Sequence, residues 1–276
     1  MSASGQEVLV SIRDLSVSYS SEADNEAALK GISLDIRDGE RLAIIGESGS
    51  GKSTFALAIA GLLPGAAKMT GSIEWPGFST KLGQKPLGGR DIGFVFQDPS
   101  ASLDPVMPIG RQIAEVAKTH LFMSWPQAYG HAEKLLKRVR LDPASIIPAY
   151  PHQLSGGQKQ RAAIAAAIAA GPNLLIADEA TSALDTIVQA EVVSLIEQLV
   201  NEDGMALLFV THDIALAARL AERIAVFQRG EMVELGETAN IIHSPRHACT
   251  RTFRDAHIGL DTAPLLGRPA GGPRHG

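Results

Sequence analysis

Cysteine is almost missing from this chain. Cys249 is the one thiol in 276 residues, which excludes an intrachain disulfide framework, a four-cysteine zinc site and a self-contained cysteine-ligated iron–sulfur cluster. A basic excess is missing too. Lys and Arg number 25 against 30 Asp and Glu, for a formal net charge of −5 and a pI near 5.9. The chain therefore lacks the general positive field that drives non-specific nucleic-acid binding. No long apolar run appears: residues 162–171, the most apolar stretch, span about half of what crosses a bilayer and are mostly alanine. Residues 1–15 show no basic segment leading into an apolar one, so no signal peptide is expected. The expected location is cytoplasmic, any membrane role coming through a partner. No internal repeat is visible.

What is present suits a folded α/β protein. Apolar residues make up 45% and charged residues 20%, enough for a sizeable core. The length fits roughly two domains, or one large α/β domain with an insert. Short strands are expected at 8–13, 16–19 and 32–36, with a turn at Asp38-Gly39. Residues 41–45 are apolar and β-branched, as in a strand buried on both faces. They run into a glycine-rich turn and then a helix over 52–63, ended by Pro64-Gly65. Further strands are expected at 92–96, 174–177, 206–210 and 224–227, with Arg229-Gly230 as a hairpin turn into 232–235. Between Asp98 and Pro151 the pattern turns helical (113–121 and 128–139), punctuated by seven prolines. The residues from about 261 read as a Gly/Pro-rich tail.

Three segments carry chemistry. Gly46-Glu-Ser-Gly-Ser-Gly-Lys-Ser53 fits the phosphate-loop pattern. Its glycines let backbone N–H groups turn toward phosphate oxygens, and the following helix adds its positive end. Lys52 would reach the β- and γ-phosphates and Ser53 would ligate Mg²⁺. This names a nucleotide site, not an activity. Leu174-Leu-Ile-Ala-Asp178-Glu179 is an apolar strand ending in two carboxylates at the sheet edge where α/β ligand sites lie. Asp178 can hold Mg²⁺ and Glu179 can polarise an attacking water, although an acidic pair also simply ends many strands. In Leu154-Ser-Gly-Gly-Gln-Lys-Gln-Arg161, Ser155 reads as an N-cap and residues 162–170 as a strong helix. That makes a second anion-binding helix end. One γ-phosphate cannot easily use two such ends from one chain, so the second is expected to serve a nucleotide held by another subunit.

With these segments, Ser182-Ala-Leu-Asp185 and His212, residues 8–255 resemble the ATP-binding subunits of ABC transporters, in order and approximate spacing. The resemblance implies a phosphate-loop nucleotide-binding domain with a RecA-like core, an N-terminal antiparallel β-subdomain and an inserted helical subdomain. The implied boundaries are 1–97 for the β-subdomain and the first part of the core, 98–160 for the helical part, 161–240 for the remaining core and 241–276 for a C-terminal extension. It implies ATP and Mg²⁺ as cofactors. Gly46, Glu47, Ser48, Gly49, Ser50, Gly51, Lys52, Ser53 and Thr54 would hold the nucleotide, with Tyr19 stacked on adenine unless it is an ordinary strand tyrosine. Ser53, Gln97 and Asp178 would serve the metal. Glu179, Gln97, Lys52 and His212 would serve catalysis, His212 holding the γ-phosphate unless it only caps. Ser155, Gly156, Gly157, Gln158 and Asp185 would lie at the seam with a second subunit packed head to tail.

Two stretches resemble the peptide and nickel importer group within that family. Gln97-Asp-Pro-Ser-Ala-Ser-Leu-Asp-Pro is followed by Ile109-Gly-Arg-Gln-Ile113, and the chain ends Ser244-Pro-Arg-His-Ala-Cys-Thr-Arg-Thr-Phe253. Ala180 departs from the group's usual proline, and Ala248-Cys249 from its Pro-Tyr. The group implies ATP-driven uptake of peptides or nickel and other metal complexes from the cytoplasmic face of the membrane. Its partners would be a second ATPase chain, identical or related, two transmembrane permeases and an extracytoplasmic binding protein, with no nucleic acid. The rival reading is a soluble ATPase of the same type acting on DNA or ribosomes. Such relatives carry coiled coils, zinc motifs or two tandem domains, and none of these signals is present.

Overall fold

The computed structural model describes residues 7–19, 27–78, 85–181 and 184–257. The chain opens with β1 (Val8–Tyr19), β2 (Leu29–Arg37), β3 (Arg41–Gly46), α1 (Lys52–Ala60) and β4 (Ala67–Glu74). β1 pairs antiparallel with β2 and β4, giving a three-stranded sheet ordered β2-β1-β4. The two strands expected at 8–13 and 16–19 are thus one. Asp14 takes φ 50° and the pairing skips between Ile12 and Leu15, a bulge that breaks the period-two alternation into two apparent runs. Helix α1 is shorter than the expected 52–63. Gly61 takes φ 69° and its N–H returns to the Ala58 carbonyl, stopping the helix ahead of Pro64-Gly65.

A helical stretch follows β5 (Ile92–Val95): α2 (Pro99–Ser102), α3 (Ile109–His120), α4 (Trp125–Arg138), α5 (Pro143–Ile146) and α6 (Gly156–Ala167). α3 and α4 both start earlier than the apolar period indicates. Ser124 caps α4 reciprocally with Gln127, and Pro126 sits in the first turn, so the start is set by capping chemistry. Then come β6 (Leu174–Asp178), α7 (Thr186–Asp203), β7 (Ala206–Thr211), α8 (Ile214–Leu220), β8 (Arg223–Gln228), β9 (Glu231–Glu237), α9 (Thr238–His243) and α10 (Ala248–His257). A six-stranded sheet runs β5-β6-β7-β3-β8-β9, parallel except for β9. Arg229 and Gly230 form the expected two-residue hairpin with positive φ at both.

Strands β6 and β7 are buried throughout and β3 nearly so, as their unbroken apolar runs require. On one face Ile44, Ile176 and Leu208 pack with Phe55 of α1 against Ile12 and Leu15 of the smaller sheet. On the other face Leu175 and Phe209 meet Ile164 of α6 and Ile196 of α7. Glu40, buried between the sheets, accepts from the Arg37 N–H and pairs with Arg223 at 2.8 Å, joining β2 to β8. The architecture is α/β, a mostly parallel core sheet with an antiparallel β layer and a helical stretch between β5 and β6.

Candidate functional site

The ends of β3, β5, β6 and β7 lie side by side, and each is followed by a residue of interest. β3 gives way to the loop 46–51, which delivers Lys52 and Ser53 at the start of α1. That helix has no side-chain cap and no acidic residue in its first turn, so its N–H groups and positive end remain available to an anion. Gly51 precedes it at φ 101°, where a Cβ would stand 2.5 Å from the Ala28 carbonyl oxygen. Behind the loop, the Gly230 N–H donates to the Ser50 carbonyl and the Lys30 N–H to the Gly230 carbonyl. The β8–β9 hairpin thus braces the phosphate loop, a role that its turn chemistry alone does not reveal.

Lys52 is buried, and its ammonium donates to the carbonyls of Gly46 (2.9 Å) and Glu47 (2.8 Å). Burial lowers its pKa, and Glu179 and Asp178 partly restore it. The Ser53 hydroxyl donates to Asp178 Oδ1 at 3.0 Å. Burial pushes the Asp178 carboxyl up, Glu179 adds to that, and the Ser53 hydrogen bond opposes it. A buried carboxylate beside a hydroxyl at an open helix end is a donor set that fits a divalent cation carried on phosphate oxygens. The Ser50 hydroxyl is buried with no partner among the described residues, a polar group for which a bound phosphate supplies an acceptor.

Glu179, next after β6, has φ 44°, and its N–H donates to the Val210 carbonyl at 2.9 Å. A left-handed backbone at a non-glycine residue marks a constrained position. Its carboxylate is mostly covered and lies 3.7 Å from Nδ1 of His212, whose ring is half exposed beyond the end of β7. Gln97 stands two residues past β5, beside the end of β6, with its side chain exposed. Tyr19 ends β1 with its ring partly exposed, and its hydroxyl donates to Thr54 Oγ1 at 3.2 Å. That fixes the ring over the first turn of α1. Glu47, Ser48 and Gly49 are exposed on the loop.

Residues 155–158 stand apart. Ser155 caps α6, its N–H donating to Gln158 Oε1 and its hydroxyl accepting from the Gln158 N–H. Ser155, Gly156 and Gln158 are exposed, and among the described residues no hydrogen bond joins 155–158 to the phosphate loop. Their neighbour is the start of α7: a Cβ on Gly157 would meet Val188 at 2.8 Å and one on Gly156 would meet Leu184 at 3.7 Å. Asp185 caps that helix through the N–H groups of Ile187 and Val188. Ser182 and Ala183, and the tail from 261, lie outside the described residues.

Fold and site together define an α/β phosphate-loop nucleotide-binding domain. Residues 29–182 match the family model described as ABC transporter, and the chain belongs to that family. It is 38% identical, over its whole length and 50% of the relative, to the peptidoglycan transport ATP-binding protein YejF of Agrobacterium fabrum. It is 37% identical, over 95% of its length and 43% of the relative, to the glutathione import ATP-binding protein GsiA of Escherichia coli. The chain thus spans half or less of these curated relatives. Among solved structures it is similar to the dimeric ATP-binding cassette MJ0796 in a post-hydrolysis state bound to ADP and Pi (TM-score 0.71, 32% identity, 83% of this chain and 98% of that one). It is also similar to cbiO1 from Clostridium perfringens, part of the ABC transporter complex cbiONQ (TM-score 0.72, 27% identity, 86% and 92%).

Proposed function

We propose that this chain binds and hydrolyses ATP to power an importer, with peptides as the cargo class. The observation that carries the reading is the Ser53–Asp178 pair beside buried Lys52, with Glu179 next in sequence and His212 within 3.7 Å of it. Lys52 is then the cation for the β- and γ-phosphates. Ser53 and Asp178 would hold Mg²⁺, which offsets phosphate charge during transfer. Glu179 accepts a hydrogen bond from the attacking water and receives its proton, His212 steadies the γ-phosphate, and Gln97 orients water and metal. Water and ATP yield ADP and phosphate. Tyr19 supplies a ring for adenine, and residues 46–54 cradle the phosphates.

The outward-facing end of α6 supports a head-to-tail pair in which Ser155, Gly156, Gly157 and Gln158 complete the partner's nucleotide site and Asp185 lies at the seam. ATP then favours the closed pair because only that state uses both helix ends. An apolar cleft of about 210 Å³ is lined by Leu62, Phe94, Leu103, Ala163 and Phe96, the residue before Gln97. It offers one of two permease subunits a seat from which nucleotide state can be sensed. Among the described residues no helix is long and apolar enough to cross a membrane, in keeping with a peripheral subunit on the cytoplasmic face served by an extracytoplasmic binding protein. Of the two cargo classes, the relatives named for glutathione and peptidoglycan favour peptides over nickel.

The test is Glu179→Gln. ATP turnover should fall by at least about 100-fold while ATP binding persists, measured by phosphate release and by nucleotide titration. Near-parental turnover would remove Glu179 from the chemistry.

A further inference from the structure

The hairpin between α3 and α4 carries side chains that neither the fold nor the nucleotide chemistry uses. Phe122 is 92% exposed and sits at φ 55°, a left-handed backbone that suits Asn or Gly and strains an aromatic residue. The ring gains the fold no burial, and the backbone beneath it is strained. Leu121 and Trp125 flank it, each partly exposed. An open cleft of about 590 Å³ runs along this edge, bounded by Met123, Gln127, His131 and Lys134.

Cations frame the apolar edge. The Arg111 guanidinium lies 5.8 Å and the Lys118 ammonium 5.4 Å from the Trp125 ring centroid. Among the described residues neither of these, nor Lys134, pairs with a carboxylate, whereas Lys137 and Arg138 are engaged by Glu133, Glu202 and Asp203. Residues 109–140 hold Arg111, Lys118, Lys134, Lys137, Arg138 and Arg140 against only Glu115 and Glu133, in a chain of net charge −5.

We propose that the α3–α4 hairpin docks on an anionic phospholipid bilayer surface. Phe122 and Trp125 enter the boundary between headgroups and acyl chains, and Arg111, Lys118 and Lys134 meet lipid phosphates. Rings of this kind settle at that boundary, and adjacent cations gain from the negative leaflet. The outward ring and the long cationic stems without carboxylate partners suit a fluid surface, which supplies apolar depth and phosphate charge together. The contact goes beyond attachment through permeases and needs no nucleotide.

The experiment pellets the purified chain, without nucleotide, with vesicles of phosphatidylcholine alone or mixed with phosphatidylglycerol. The chain should prefer the anionic vesicles, and the preference should fade toward about 0.5 M salt. Phe122→Asn, which suits the backbone, should lower vesicle affinity about tenfold, leave ATP turnover unchanged and melt no earlier than the parent. In a Trp75→Phe chain, Trp125 emission should shift to the blue on anionic vesicles alone. Equal affinity of Phe122→Asn and parent, or no preference between vesicle types, overturns the proposal. Cross-linking of the hairpin to a permease with no lipid dependence also overturns it and assigns the patch to a protein partner. Because the binding is read without nucleotide, its failure leaves the ATPase reading intact.

Discussion

Replacing Gly51 by alanine tests whether backbone sterics hold the phosphate loop in shape. Gly51 has φ 101°, and a Cβ there would stand 2.5 Å from the Ala28 carbonyl oxygen and 2.9 Å from Leu29 Cδ2. The first of these is backbone, and the same corner is tied by the Gly230–Ser50 and Lys30–Gly230 hydrogen bonds, so it cannot rotate aside. Ordinary carbon–oxygen contact begins near about 3.3 Å, which demands a shift of roughly 0.8 Å. The left-handed backbone costs alanine about 1–2 kcal/mol, and accommodating the extra carbon costs about 1–3 kcal/mol more. Gly49 is the internal control: it has φ 77°, with nothing within 4 Å of its Cβ position. Gly49→Ala therefore bears only the first of the two costs. At about 2–4 °C per kcal/mol, thermal unfolding should place Gly51→Ala roughly 2–12 °C below Gly49→Ala. Titration with a fluorescent ATP analogue should show weaker binding for Gly51→Ala, since Lys52 and Ser53 follow directly and move with it. Equal melting of the two variants, or a lower value for Gly49→Ala, would refute the reasoning.

Ser155→Arg puts a long cation on the exposed end of α6 and should weaken ATP-dependent dimerisation at least about tenfold, measured by sedimentation in a Glu179→Gln background, with nucleotide still bound at the chain's own loop. Unchanged dimerisation would contradict the shared site. Burial raises the Asp178 carboxyl, so its ionised form opposes folding; that cost is absent below the ordinary carboxylate range, grows as pH rises and is complete above the raised value. Asp178→Asn should then melt later than the parent at neutral pH without divalent cation, the gap closing as pH falls, while the Mg²⁺ dependence of nucleotide binding disappears. Glu40→Ala leaves Arg223 only its Asp35 contact and should cost about 1.5–3 kcal/mol in denaturant unfolding; a loss under about 1 kcal/mol would show that this pair does not join the layers.

The strands of the core were readable because both of their faces are buried. After Arg41, the run to Ile45, like those at 174–177 and 206–210, is apolar without alternation, and each lies within an observed strand. The phosphate loop was readable because its spacing is local and its geometry demands glycine. β4 was not: AKMTGSIE is mostly exposed, carries no apolar period and is held by pairing along β1, with Ala67 and Ile73 only partly packed on the core. Helix α7 was not either: its start is set by Asp185, whose side chain accepts from the Ile187 and Val188 N–H groups, and no apolar period announces it. The bracing of Ser50 by Gly230 joins residues 180 positions apart, and no local pattern reports it. Nor does the sequence report that Phe122 stands exposed at φ 55°, since an apolar residue between two helices reads as core.

Sheet order turns scattered motifs into one site. In the order β5-β6-β7-β3, the residues following four adjacent strands are Gln97, Glu179, His212 and the phosphate loop. Neighbouring strands stand about 4.8 Å apart, so these ends span roughly 14 Å along the sheet edge. That width is enough for the triphosphate, metal and water of the proposed site. Parallel strands send every one of these ends to the same edge, whereas an antiparallel neighbour would turn one of them to the opposite side. Residues 155–158 belong to α6, which precedes β6, and their exposed end packs beside Leu184 and Val188 rather than on the loop. A chain with one complete phosphate cradle and one outward helix end has half of two sites on its surface. In the proposed head-to-tail pair, two copies, or a copy and a related chain, would satisfy both halves, and closure of the pair rather than the chemistry of one domain would then be the step that ATP binding drives.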